Sequence, residues 1–335
     1  MSKKNSPPNP FEPLQKKGIL LLKFLLVVGL LTFLAKRGFI SIQATHQALQ
    51  QWQKIVPAIG LLFCCTFLGV SRWKWLLEAH QIHLSWGRVF QLTMVGNFFN
   101  IALPGAVSGD FIKAFYIGKE MKGHKSKAFG SILFDRVAGV SALVLVSAGA
   151  LAAGLTSFLN SPLFSAIQVL IELAATCVIL FYTYLFLVRE KGDPLLRFFR
   201  SLEKKCTPIG TLTRIYESIR HYHTHRIAVL KVLALSVLIH LVTGWSCLTF
   251  AQALGDSNLP LLAAYVVVPL GLLVTAVPIA PAGIGTGNIA FLYFFHLIGS
   301  ERGADIFSLY ALTNIFIGAI GGLIYFRFKS HIKVT

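Results

Sequence analysis

The stretch "NFFNIALPGAVSGDFIKAFY" (residues 97–116) decides how this chain is read. It lies within apolar sequence, yet Pro104, Gly105, Gly109 and Asp110 interrupt it within seven residues. Proline removes a helical N–H and glycine loosens the backbone, so no regular helix runs through the stretch. Arg88 precedes it, and Lys113, Lys119, Lys122, Lys125 and Lys127 follow. Lys and Arg collect in cytoplasmic loops, so the chain between Arg88 and Lys113 crosses the membrane an even number of times. That interval is too short for two spans of about 20 residues each. A re-entrant hairpin that enters and leaves on the cytoplasmic side meets both conditions, with its tip near Pro104-Gly105.

The rest of the chain sets the context. Of 335 residues, 55% are hydrophobic and 13% charged, where a soluble domain carries about 25% charged residues. Apolar segments recur at 18–35, 55–71, 88–103, 129–153, 162–188, 228–253, 261–277, 284–298 and 304–326. The expected fold is an all-α polytopic membrane protein with about 6–8 transmembrane helices plus one or two re-entrant broken-helix hairpins. No strand-period alternation argues for an outer-membrane barrel. The net charge of +18 is accounted for by positive cytoplasmic loops, without nucleic acid as a partner. The five cysteines (Cys64, Cys65, Cys177, Cys206, Cys247) have no metal-ligand spacing and read as small buried hydrophobes.

Sidedness divides the chain. Residues 1–17 read as a disordered basic cytoplasmic tail, 18–328 as one transmembrane domain, and 329–335 as a second cytoplasmic tail. Lys36, Arg37 and Lys54, in the loop after the first segment, depart mildly from the charge rule. Residues 189–226 carry nine Lys or Arg against four acids and read as a cytoplasmic linker between two halves. His221, His223 and His225 within it read as a solvated face rather than a metal site. In the second half, "VPIAPAGIGTGN" resembles the first break, with Pro278, Pro281, Gly283, Gly285 and Asn288. Either 261–298 spans, or it is a second hairpin entering from outside. Two interrupted segments in corresponding places suggest an inverted repeat, a transporter design.

The candidate site follows from these breaks. Backbone freed at membrane depth must be buried in protein or line a wet cavity, and a helix N-terminus there suits an anion. Asp110 and Lys113 share a helix face, although Asp110 is also placed to cap a helix starting near Phe111. Asp135 and Arg136 are adjacent inside an apolar segment, where ionisable groups are costly. They project about 100° apart, so each needs its own partner. Arg136 is expected to pair with Asp110 or to bind a lipid phosphate. Asn97, Asn100, Asn288 and Asn314 either line the same cavity or join helices by hydrogen bonds. Arg72, Glu172 and His240 are secondary candidates; Glu172 and His240 read chiefly as cross-helix hydrogen-bonding groups. There is no G-x-S-x-G, Walker A or HExxH motif, so no catalytic residue, metal or cofactor is expected.

Four pieces in order, "RWKWLL" (72–77), "FFNIALPGAVSGDFIKAFYI" (98–117), "SILFDRVAGV" (131–140) and "PIAPAGIGTGN" (278–288), resemble a known family. It is the flippase-like transmembrane domain of bacterial lysylphosphatidylglycerol synthases, also found as stand-alone proteins. The similarity runs from about residue 18 to 328. It implies a bacterial inner-membrane protein, both termini cytoplasmic, that moves lipids with modified head groups between leaflets. The implied partners are an anionic or aminoacylated phospholipid or a polyprenyl-linked glycolipid, with a lipid-synthesis enzyme as a further partner. By motif, Asn100, Pro104, Gly105, Gly109, Asp110, Asp135 and Arg136 carry over as cavity residues. Ser108 stands where the family more often has Gly, and Gly287-Asn288 where many members have Arg-Glu, which removes a charged pair. No stretch is long enough for the soluble aminoacyl-transferase domain of the full synthases, so this chain is not expected to make lysyl lipids. Two other readings are a membrane-embedded transferase using a lipid-linked donor, with Asp110 or Asp135 as acid or base, and a non-catalytic partner of a lipid synthase.

Overall fold

The computed structural model describes residues 42–102, 108–120, 125–153, 162–189, 192–203, 209–276 and 283–329. The first apolar segment, the tails 1–17 and 330–335, and the break residues Pro104, Gly105, Pro278 and Pro281 lie outside them. The described residues are α-helical apart from turns and one short 3₁₀ segment. In hydrocarbon no water satisfies the peptide groups, and a helix satisfies them within the segment. Among the described residues, five helices are long and apolar enough to cross a membrane. They are α2 (Trp52–Ala79), α5 (Lys125–Ala152), α6 (Pro162–Leu187), α9 (Arg226–Ala253) and α12 (Gly303–Lys329). The chain is a multi-pass, all-α membrane protein.

The opening stretch folds as two arms, α3 (Trp86–Ala102) and α4 (Ser108–Glu120). They run back alongside each other. Arg88 interacts electrostatically with Tyr116 at the base, and Asn100 Oδ1 accepts the Gly109 N–H at 2.8 Å near the tip. The contact is close because Gly109 has no side chain: a Cβ there would lie 1.9 Å from the Gly96 carbonyl oxygen. Near the tip, Asn97 and Ile101 touch Gly318, fifteen residues into the 27-residue α12. The arms therefore stop about halfway along the bundle.

The second interrupted stretch repeats the arrangement from the other end. Helix α10 (Leu261–Thr275) and α11 (Thr286–His296) are each shorter than the about 20 residues a span needs. They fold back on each other, Gly271 against Phe291 and Gly283 against Thr275. Of the two readings open for 261–298, these short lengths fit a hairpin better than two spans. One end of the bundle gathers the basic groups, with His80 near Lys127 and His225. The α3–α4 hairpin starts from that end. The α10–α11 hairpin starts from the opposite end, where Gln47 of α1 (Ile42–Gln50) donates to the Leu254 carbonyl at 3.2 Å.

These directions give the two halves the same order of elements in opposite orientations. Span, hairpin, span reads α2, α3–α4, α5 in one half and α9, α10–α11, α12 in the other. Packing follows the same rule, because α12 lies on arm α3 while its counterpart α5 lies on the corresponding arm α10, and α2 packs along α9. Glycines allow the close crossings: a Cβ on Gly321 would meet the Met94 carbonyl oxygen at 2.0 Å.

The segment read as a linker is itself folded. Helices α7 (Pro194–Glu203) and α8 (Ile209–Arg220), then a 3₁₀ turn (His221–Thr224), sit between α6 and α9. Asp193 and Arg220, both buried, pair at 2.7 Å. Asp193 also accepts the Leu196 N–H at 3.0 Å and the Tyr184 and Tyr216 hydroxyls at 2.7 and 3.0 Å. Burial alone would raise the Asp193 carboxyl, yet those hydrogen bonds and the Arg220 charge hold it below the usual carboxylate range. Outward faces of the spans carry Leu170, Leu173, Ile179 and Leu180 of α6, which suits lipid and not water. Cys64 and Cys177 lie on such faces, unlike buried Cys247, because lipid asks no burial of a thiol.

Candidate functional site

The two hairpin ends meet at one cavity of about 440 Å³, within the range of small-molecule sites. Asn97, Asn100 and Ile101 of α3 border it from one side, and Thr275, Ala276 and Gly283 of the second hairpin from the other. Arg72 and Trp73 of α2, Asp135, Arg136 and Gly139 of α5, and His240 of α9 complete the polar part of the wall.

Two ion-pair clusters organise it, both anchored on neighbouring residues of α5. Asp135 faces α2, where Arg72 Nε and Nη2 donate to its two oxygens at 2.7 and 2.9 Å. The fork is bidentate, the strong form of a guanidinium–carboxylate contact. Arg72 Nη1 also donates to Ser236 Oγ of α9 at 3.0 Å, so one guanidinium joins three spans. Arg136 turns the other way and places Nε 2.6 Å from Asp110 Oδ2. The other Asp110 oxygen takes Lys113 Nζ at 2.8 Å, one turn along α4. Asp110 sits in the first turn of α4, where the helix dipole also favours a negative charge. Asn100, bonded to the Gly109 N–H, satisfies the helix start and leaves Asp110 to the cations.

Exposure differs sharply within the second cluster. The Asp110 side chain is 3% exposed, Lys113 11% and Arg136 45%. Lys113 is held further by the Trp73 ring, 4.9 Å from its ammonium, and Trp73 Nε1 donates to Ser131 Oγ at 3.3 Å. The cavity therefore presents Arg136 with its counter-ion buried behind it. Three cations (Arg72, Lys113, Arg136) face two carboxylates (Asp110, Asp135), so the site carries one positive charge in excess. Both carboxylates are already charge-matched, which leaves neither as an unoccupied base. His240 Nε2 donates to the Gly139 carbonyl at 3.1 Å across α9 and α5. Among the described residues no group of three or more His, Cys, Asp or Glu is arranged to hold a metal ion.

The sequence-derived residues divide by position. Asn97, Asn100, Lys113, Asp135, Arg136, Gly283, Arg72, His240 and Asn314 border the cavity. Asp110 and Gly109 stand one layer behind. Asn288 is buried in structural bonds, with Oδ1 accepting the Gly285 N–H at 3.0 Å and Nδ2 donating to Ser308 Oγ at 2.8 Å. That pairing holds the start of α11 and places Gly285 and Asn288 outside the lining. Glu172 lies on the outer face of α6, bonded to Gln168 at 2.9 Å, because the helical phase that buries Ile171 turns Glu172 away. The sequence does not mark Trp73, Ser236 or Tyr310, which the structure brings to the site. Their signal in the sequence is slight, since an aromatic or a serine in an apolar segment reads as packing.

Comparison with known proteins adds two matches. Residues 20–321 match the family described as the lysylphosphatidylglycerol synthase TM region. A UPF0104 membrane protein of Pyrococcus horikoshii is 25% identical over 175 residues, half of each chain. The chain thus spans about half the length of that curated relative. No solved structure matches the chain.

Proposed function

The chain belongs to the family of the lysylphosphatidylglycerol synthase transmembrane region, and from that premise we propose that it translocates a lipid with a modified polar head group between the leaflets of the bacterial cytoplasmic membrane. The head group, of a phospholipid or glycolipid, enters the cavity between the two hairpins while the acyl chains stay in lipid. The basic end of the bundle faces the cytoplasm. The observation that carries the proposal is the half-exposed Arg136 over buried Asp110, in a cavity with one positive charge in excess. A phosphodiester brings the single negative charge that such a site lacks, and a guanidinium receives its oxygens as a fork. Inverted hairpins on either side of the cavity supply two gates of opposite direction, the arrangement alternating access requires. The charge-matched state of both carboxylates favours transport over a transferase reaction.

The test is reconstitution of the purified protein with a fluorescent aminoacyl-phosphatidylglycerol, followed by addition of a membrane-impermeant quencher. The accessible fraction should rise above the outer-leaflet share with the wild-type protein. With Arg136→Ala and Asp110→Asn it should return towards the protein-free value. If no phospholipid or glycolipid class is moved, or if both variants move lipid like wild type, the reading is wrong.

A further inference from the structure

We propose that the α7–α8 unit is an interfacial anchor, with α7 lying against the acidic head groups of the membrane leaflet at the basic end of the bundle. Helix α7 is amphipathic but only half covered. Taking about 100° per residue, Leu195, Phe198, Leu196 and Phe199 form one broad apolar arc. Leu196 and Phe199 are turned to the protein, Leu196 at 3% exposure and Phe199 against the Tyr216 ring at 5.3 Å. Leu195 and Phe198, one turn apart on the adjoining flank, remain 48% and 57% exposed. Arg197 lies beyond that flank and is exposed.

Such faces are ordinary on a spanning helix, but α7 has ten residues and cannot span. A short helix with an uncovered apolar flank and arginines beside it is the composition of an interfacial helix. Its position fits, because the unit is fixed to the last turn of one span and leads into the next. Arg220 donates to the Leu185 carbonyl at 3.2 Å, and Arg226, at the start of α9, to the Phe186 carbonyl at 2.9 Å. The buried Asp193–Arg220 pair holds α7 to α8 at that level.

The charge selects the occupant. Arg220 is neutralised by Asp193, and Arg200 by Glu217 at 2.8 Å. Arg189, Arg197 and Arg214 are exposed and have no acid partner among the salt bridges of the described residues. The sequence adds Lys204 and Lys205 between the two helices. Cations near an anionic leaflet are attracted to it, so the surface fits an anionic leaflet better than a neutral one.

The experiment uses the full chain with Phe198→Trp, an aromatic exchange at an exposed position, and Arg197→Trp as its control. Each is reconstituted in vesicles of phosphatidylcholine alone or with phosphatidylglycerol, with or without lipids brominated near the top of the acyl chain. Emission is read as the difference from the parent protein. In phosphatidylglycerol vesicles the Phe198→Trp signal should be blue-shifted and quenched by bromine, and the Arg197→Trp signal, at the level of the head groups, should be shifted and quenched less. Quenching should weaken in phosphatidylcholine alone and after Arg197→Gln/Arg214→Gln in the Phe198→Trp protein. A water-like, unquenched Phe198→Trp signal in anionic vesicles overturns the proposal. Equal quenching in both vesicle types overturns its electrostatic part.

Discussion

Asp110 holds two cations, and its removal leaves both uncompensated in a poorly hydrated place. Breaking a buried ion pair by deleting one partner costs about 3–5 kcal/mol. Arg136 retains access to the cavity, so Asp110→Asn is expected near the lower limit, about 3 kcal/mol in chemical denaturation of the detergent-solubilised protein. Asp110→Asn combined with Arg136→Gln should lose less than the sum of the single variants; additive losses would show that the pair is not coupled. A second residue-scale effect concerns His80, just past the end of α2. Burial, then the charges of His221, Lys127 and His225, push its imidazole down to about 3, and Ser218 Oγ lies 3.1 Å from its Nε2. A depressed folded value means that the unfolded chain binds the proton first. Stability is therefore complete above about pH 6.5 and falls as pH drops below it. Between pH 6.5 and 5 the loss is about 2 kcal/mol, and His80→Gln should lack that part of the slope. If both proteins show the same slope, His80 is not the group responsible. Of these features, the Asp110–Arg136 pairing was legible because two adjacent ions in an apolar segment must point to different helices. His80 was not, because its burial comes from α8 and the 3₁₀ turn, more than a hundred residues away.

The α3–α4 hairpin depends on a contact that only glycine permits. A Cβ on Gly109 would fall 1.9 Å from the Gly96 carbonyl oxygen, backbone that cannot rotate aside. Gly109→Ala should force the arms apart and cost about 1–3 kcal/mol, the range of overpacked cores. Gly321→Ala should do the same between α12 and α3, where the Met94 carbonyl lies 2.0 Å from the added atom. Gly149→Ala of α5 is the control, since nothing lies within 4 Å of its added Cβ. Thermal unfolding in detergent should place that variant level with wild type or slightly above. If all three melt alike, close approach does not hold the hairpins. At this scale the sequence was informative in one respect and silent in another. Charge parity required the first hairpin, because its lysines and Arg88 had to share a side. For 261–298 the flanks carry too little charge to decide; the short lengths of α10 and α11, and the meeting of their ends with the first hairpin at the cavity, favour a hairpin over two spans.

At the scale of the whole molecule, the inverted halves place loops of opposite character at opposite ends. The spans were legible as apolar segments, and a repeat was suggested by two Pro-Gly breaks. The reciprocal packing of α12 on α3 and α5 on α10 was not, since it depends on contacts between halves more than a hundred residues apart. The structure puts both bases of the first hairpin and the α7–α8 unit at one end, and Gly255-Asp256 at the other, and this arrangement makes a definite expectation about labelling. In a Cys206→Ser background, Lys119→Cys and Arg214→Cys should react with a membrane-impermeant maleimide in inverted vesicles and not in right-side-out ones. Asp256→Cys should behave in the opposite way. The native cysteines of the described spans should stay silent in both, because an impermeant reagent does not enter the apolar layer. Reaction of Lys119→Cys and Arg214→Cys from different sides would mean that α3–α4 crosses the membrane rather than turning back. Reaction of all three from one side would remove the opposed hairpins, and with them the two gates on which the proposed transport depends.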